Sequence, residues 1–163
     1  MIDARIHKIL FGPDDNIEKF IVDQIDSSKR NITMLVFWFT WKPIADAIIR
    51  ANDRGVRIKM ILDSRSNEVK LKDVDIKNET LIPKYIDERT NNGCQIYIYN
   101  GELLHHKTIL IDDDIVLTGS CNFFNASIRR HEENYMLIES RELKHVFQQR
   151  FAALLHNSKE YKL

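Results

Sequence analysis

Cysteine is scarce in this chain. Two residues, Cys94 and Cys121, are too few for a disulfide scaffold and lack the CxxC spacing of a zinc or redox site, so ordinary reduced thiols are expected. Glycine and proline are also few, at 5 and 3, and with no repeat or low-complexity tract they leave no flexible linker to divide the chain. Net charge is missing altogether. The 24 Lys and Arg balance the 24 Asp and Glu, with 16 basic against 15 acidic residues up to position 90 and 8 against 9 beyond it. Composition therefore gives no sign of a polyanionic partner, and any chemistry on phosphates has to come from a local site. Long apolar runs are absent: the longest, Met34 to Phe39, is far short of the ~20 residues of a membrane-spanning helix, and the N-terminus has no stretch of signal-peptide length. A soluble, cytoplasmic chain is expected, and Met1 with an apparently complete closing helix favours a whole protein over an excised domain.

What is present fits one domain over residues 1–163, because a chain of this size buries roughly 70% of its unfolded surface. Arg5 to Phe11 reads as a strand ended by Gly12-Pro13. Asp14 or Asp15 can then cap a helix with Ile17, Phe20, Ile21 and Ile25 on one face. Asn31 to Phe39 is apolar on both faces at its centre and belongs inside a covered sheet. A helix begins around Pro43, carries Ile44, Ala47, Ile48 and Ala51 on one side, and stops at Gly55, after which Val56 to Leu62 forms the next strand. This β-α-β-α-β opening predicts an α/β fold: a mixed, mainly parallel central sheet with helices on both faces. Residues 64–80 read as a solvated loop, with a border to a substrate groove as the functional alternative. A helix from Leu81 to Thr90, strands at Gln95 to Tyr99, Lys107 to Asp112, Ile115 to Thr118 and Asn134 to Glu139, and a helix from Arg141 to His156 complete the pattern, with a tight turn at Asp113-Asp114.

One spacing stands out: His105-x-Lys107-x4-Asp112-x6-Gly119-Ser120-x-Asn122. At usages of about 5% per residue type, six fixed positions coincide by chance in only a few chains per million. Strand alternation projects His105 and Lys107 to the same side and His106 to the other, and Ser120 and Asn122 repeat the spacing after Gly119. An imidazole, an ammonium, a hydroxyl and an amide then converge. A neutral imidazole is a competent nucleophile near pH 7, and the Lys and Asn donors can hold non-bridging oxygens as charge builds on phosphorus. Nothing in the set requires a metal or another cofactor.

The segment resembles the HKD motif of the phospholipase D superfamily. Ile32 to Thr40 and Ala45 to Asp63 are similar to the N-terminal part of that family's domain, and Arg130-His-Glu-Glu-Asn134 is similar to its downstream glutamate element, with the carboxylate at Glu133. The motif occurs once, as in the small bacterial endonucleases and the Zucchini-type nucleases. The resemblance implies that His105 attacks phosphorus to form a phosphohistidine. His105 of a second subunit would protonate the leaving alkoxide and then activate water, so the site is shared across a homodimer. It further implies that Lys107 and Asn122 bind phosphoryl oxygens, and that Ser120 and Glu133 support the site, Glu133 by fixing the tautomer of His105. Asp112 and Gly119 are structural on this reading. Nucleic acid is the expected substrate, phospholipid the principal alternative, and a non-catalytic nucleic-acid-binding or dimerisation module of the same fold a third.

Other residues have plainer readings. His106 is expected to pack or hydrogen-bond as a neighbour, and Asp63 and His131 to serve local structure. A metal site from His105, His106 and Asp112 to Asp114 is disfavoured, since alternation points the histidines apart. Trp38 is expected in the core. Thr40 and Trp41, past the end of their strand, can border the pocket, Trp41 equally well being core. Arg129 and Arg130 are either contacts to a phosphate backbone or a solvated pair.

Overall fold

The computed structural model describes residues 1–67, 82–91 and 93–162. β1 (Arg5–Gly12) leads to α1 (Ile17–Ser27), and then β2 (Asn31–Val36), α2 (Lys42–Asp53) and β3 (Arg57–Asp63) follow. A short α3 (Ser64–Asn67) precedes α4 (Ile82–Thr90) and β4 (Cys94–Tyr99). β5 (Lys107–Ile111), β6 (Ile115–Gly119), α5 (Asn125–Arg129), β7 (Glu133–Glu139), α6 (Arg141–Leu155) and β8 (Ser158–Glu160) complete the chain. Of the stretch 64–80, only 64–67 falls within the described residues, as α3.

The described residues form one eight-stranded mixed sheet in the order β1-β7-β6-β5-β2-β3-β4-β8. The mixed sheet and the helices on both faces are as expected, but the parallel share is smaller. Only β2 with β3 and β3 with β4 pair in parallel, while the other five neighbours are antiparallel. The reason lies in the connections. Helical crossovers end at β4, and β5 and β6 are joined by the turn at 112–114, which is too short for anything but a hairpin.

Helices α1, α2 and α4 cover one face, where Ile17, Ile21, Met34, Ile44, Ile48 and Tyr135 are fully enclosed. α6 covers the other, packing Phe151 with Leu35, Ile61 and Leu104. The α1 cap is Asn16, whose side chain accepts from the Lys19 N–H at 2.9 Å; the expected Asp15 instead accepts from the Phe11 N–H at 2.8 Å, closing the turn after β1. Pro43 sits in the first turn of α2, and Gly55 follows that helix with φ +85°, a conformation that a β-carbon would strain. β2 stops at Val36, three residues earlier than the apolar run suggests, and the chain from Phe37 onward leaves the sheet. No helix among the described residues is long and apolar enough to cross a membrane.

The strand directions bring the ends of β2, β3 and β6 and the starts of β5 and β7 to one end of the sheet. Asp112 lies at the opposite end. It adopts φ +51°, and its carboxylate accepts from the backbone N–H groups of Lys29, Arg30 and Asn31 at 2.9, 2.7 and 3.1 Å.

Candidate active site

His105 stands just before β5, where the backbone on either side of it is fastened. The Leu104 N–H donates to the Asp63 carboxylate at 2.8 Å, and the His106 carbonyl accepts from the Phe37 N–H at 2.8 Å. The strand begins at Lys107, as expected. The imidazole is exposed and lies against the Phe37 ring, with centroids 4.7 Å apart. Burial, followed by the nearby Lys107 ammonium, pushes its pKa below the ordinary value against an opposing pull from Asp63. His106 turns to the α6 face, edge-on to Phe147 at 6.5 Å, as a packed neighbour.

Lys107 opens β5 and is 5% exposed. Its Nζ donates to the His105 carbonyl at 2.8 Å and lies 5.3 Å from the centre of the Phe37 ring, so one phenyl ring supports both the imidazole and the ammonium. Burial lowers its pKa, and Glu133 opposes that shift. The Tyr135 hydroxyl, deep in the core, donates to the Lys107 carbonyl at 3.2 Å and fixes the start of the strand.

Gly119 ends β6 under tight constraint, since a β-carbon there would sit 2.1 Å from the Asn134 carbonyl oxygen, well inside contact distance. Its absence lets Ser120 lock onto β7: the Ser120 N–H donates to the Asn134 carbonyl, and the Asn134 N–H donates to Ser120 Oγ, both at 3.0 Å. The Ser120 hydroxyl then donates to Glu133 Oε2. The other carboxylate oxygen accepts from Ser127 in α5 at 2.5 Å, and Ser127 Oγ in turn accepts from the Asn122 N–H at 2.9 Å. One terminal atom of the Asn122 side-chain amide is enclosed with no hydrogen-bond partner among the described residues. Glu133 is thus the hub joining Ser120, Ser127 and, through charge, Lys107. Both carboxylate oxygens have hydroxyl donors, and the charges bearing on His105 are Lys107 and Asp63. The structure therefore directs Glu133 towards Lys107 and the two serines.

The proposed substrate contacts divide differently. The Trp41 indole N–H donates to Glu18 at 2.5 Å, and Arg129 pairs with the same carboxylate oxygen at 2.8 Å with its guanidinium 5.6 Å from the Trp41 ring. These two brace α1, α2 and α5 against one another. Thr40 donates its backbone N–H to the Phe123 carbonyl at 2.9 Å, and Arg130 is exposed. Trp38 is not the core residue that alternation suggests. With β2 ending at Val36 the two-residue period lapses, Phe39 takes the buried place against Phe123, and the half-buried Trp38 packs on Phe37 and Phe124. His131 lies 3.9 Å from Glu133 and edge-on to Phe124. Sequence reasoning, which takes most of the aromatics Phe37, Trp38, Phe39 and Trp41 as core, missed Phe124 and Ser127. Neither belongs to the six-position spacing, and only the loops that fold back over the sheet end bring them in.

The chain is similar to known proteins in sequence and in fold. A family model described as "Cardiolipin synthase, PLD-like domain" matches residues 21–155. A phospholipase D of Rickettsia bellii is 33% identical over 133 residues, which is 82% of this chain and 61% of that protein, so the chain spans about three-fifths of such relatives. Among solved structures, the phospholipase D family member Nuc from Salmonella typhimurium superposes with a TM-score of 0.84 at 25% identity, covering 99% of this chain and all of that one. NucT from Helicobacter pylori shares the fold, with a TM-score of 0.81 at 19% identity over 98% of this chain.

Proposed function

The chain belongs to the phospholipase D-like domain family, and from that premise we propose a metal-independent phosphodiesterase, acting as a nuclease through a phosphohistidine at a site shared between two copies of the chain. The observation that carries the reading is the exposed His105 against the Phe37 ring beside a buried Lys107, at the sheet end where Ser120, Asn122 and Glu133 also meet.

An imidazole nitrogen of His105 attacks phosphorus, the P–O bond to the leaving group breaks, and the leaving oxygen takes a proton from the protonated His105 of the second copy. Water then gives a proton to that imidazole as it attacks phosphorus and breaks the P–N bond, restoring the enzyme. Lys107 and Asn122 hold the non-bridging oxygens as charge develops. Glu133 opposes the lowering of the Lys107 pKa by burial. His106 faces α6, which supports taking the second histidine from another copy. The two buried free cysteines fit a cytoplasmic, reducing location.

A second reading, phospholipid hydrolysis, is favoured by the name of the Rickettsia relative and by the exposed Ile6, Ile9 and Phe11 along the edge strand β1. Both are tested by assaying the protein in excess EDTA on single-stranded DNA, duplex DNA, RNA and mixed phospholipid vesicles. Nucleic-acid cleavage that survives EDTA and disappears in His105→Ala supports the proposal. Cleavage of vesicles alone moves the substrate to lipid, and loss on chelation with recovery on adding a divalent ion overturns the metal-independent mechanism.

A further inference from the structure

We propose that Phe37, Trp38 and Phe124 form a platform on which unpaired nucleotide bases stack, delivering a single strand to His105 and Lys107. This rests on the phosphodiesterase reading and adds the substrate form.

The three rings lie in a row. Phe37 touches His105 at 4.7 Å and Trp38 at 6.3 Å, Trp38 lies 4.9 Å from Phe124 at an interplanar angle of 32°, and Phe124 meets His131 at 6.0 Å. The row therefore runs from the nucleophile to a second imidazole across the sheet end. All three are half-buried, and none joins the apolar clusters beneath the sheet faces. Full burial of a large apolar side chain is stabilising, so leaving three together half-buried forgoes part of that stabilisation. The local chain can bury a ring, for Phe39 in the same segment is 1% exposed.

Trp38 and Trp41 differ instructively. The Trp41 indole N–H is fixed by Glu18, whereas the Trp38 indole N–H is enclosed with no hydrogen-bond partner among the described residues. Phe37 stands edge-on to Trp38 at 87°, so the ring faces on offer are those of Trp38 and Phe124, and such faces recognise flat partners. Base stacking on such rings is favourable for every base and tolerant of sequence. In a duplex the bases are already stacked on each other, so only unpaired ones can use the platform. An acyl chain has no planar face to match the row, and Lys107 at its end supplies the charge that a strand's phosphate needs.

The test compares two strands: a short oligothymidylate, and a tetrahydrofuran strand of the same length that keeps every phosphodiester and has no bases. Wild-type kcat/KM should favour the oligothymidylate by tenfold or more. Trp38→Ala should shrink that preference about tenfold, and Trp38→Phe should largely restore it. With Trp41→Phe leaving Trp38 the sole tryptophan, oligothymidylate should quench its emission and the base-free strand should not. Equal hydrolysis of both strands by wild type and Trp38→Ala overturns the platform while leaving the phosphodiesterase reading intact. Quenching without hydrolysis of either strand keeps the platform and removes the nuclease. A response only to vesicles of cardiolipin and phosphatidylcholine overturns the platform in favour of lipid.

Discussion

The Ser127 hydroxyl lies 2.5 Å from Glu133 Oε1 while accepting the Asn122 N–H at 2.9 Å, so one buried oxygen sets the position of two motif residues. Ser127→Ala leaves the Asn122 N–H without its acceptor and Glu133 with Ser120 as its remaining hydroxyl donor. An unsatisfied buried polar group costs about 1–3 kcal/mol, and a loss of stability in that range is expected from urea unfolding. Turnover should fall about tenfold or more with KM changed less, because the displaced groups act as charge builds on phosphorus. Ser127→Thr keeps the hydroxyl and should recover most of the rate. A variant with the stability loss and unaltered kcat would assign Ser127 to folding alone.

Lys107 supplies the second prediction. Burial lowers its pKa and Glu133 raises it, so removing the Glu133 charge must lower it further. In Glu133→Gln the ammonium should lose its proton at lower pH, and the alkaline limb of kcat/KM should move down. His105 is governed by burial, Lys107 and Asp63, so its imidazole titration, followed by NMR, should stay below the ordinary value in that variant. In Lys107→Met the loss of the ammonium should move it up. Movement of either group in the opposite direction would contradict the charge arrangement.

How far the sequence reveals this site follows from which forces act locally. The helices α1, α2, α4 and α6 and the strands β1 to β7 are legible because apolar periodicity and turn residues are local signals. α5 and β8, of five and three residues, are too short for a period to show. Six motif positions announce the site because their spacing is rare, and the structure brings four polar members, His105, Lys107, Ser120 and Asn122, to one end of the sheet through the β5–β6–β7 arrangement. The placement of Trp38 is not legible, because it depends on β2 ending at Val36, and that end is set by tertiary bonds. The Phe37 N–H goes to His106 and the Phe123 N–H to the Trp38 carbonyl. Ser127 is likewise hidden, since a serine in a polar loop carries no mark of the carboxylate it will meet.

Asp112 shows the same motif serving stability at the far end of the sheet. A non-glycine residue at φ +51° costs about 1–2 kcal/mol, but hydrogen bonds to a charged group contribute about 1.5–3 kcal/mol each, so three backbone donors outweigh the strain. They tie the 29–31 segment before β2 to the β5–β6 turn, fixing the strand pair whose other end presents Lys107. Burial pushes the Asp112 pKa up, but the N–H donors of Arg30, Lys29 and Asn31 together with the Arg30 charge outweigh burial, and the net shift is downward. A carboxyl whose pKa falls on folding stabilises the fold above its unfolded pKa, near 3.9, and that contribution is lost as pH drops through the lower folded value. Asp112→Ala should therefore cost about 3 kcal/mol at neutral pH, roughly 6–12 °C in Tm for a chain of this size, and the deficit relative to wild type should narrow as the solution is acidified below pH 4. Asp112→Gly removes the backbone strain without restoring the bonds and should recover only part of the loss. Asp112→Asn, which tolerates the left-handed conformation and keeps one acceptor oxygen, should fall between alanine and wild type, and a deficit that did not narrow in acid would show that the carboxylate charge is not what holds the segment.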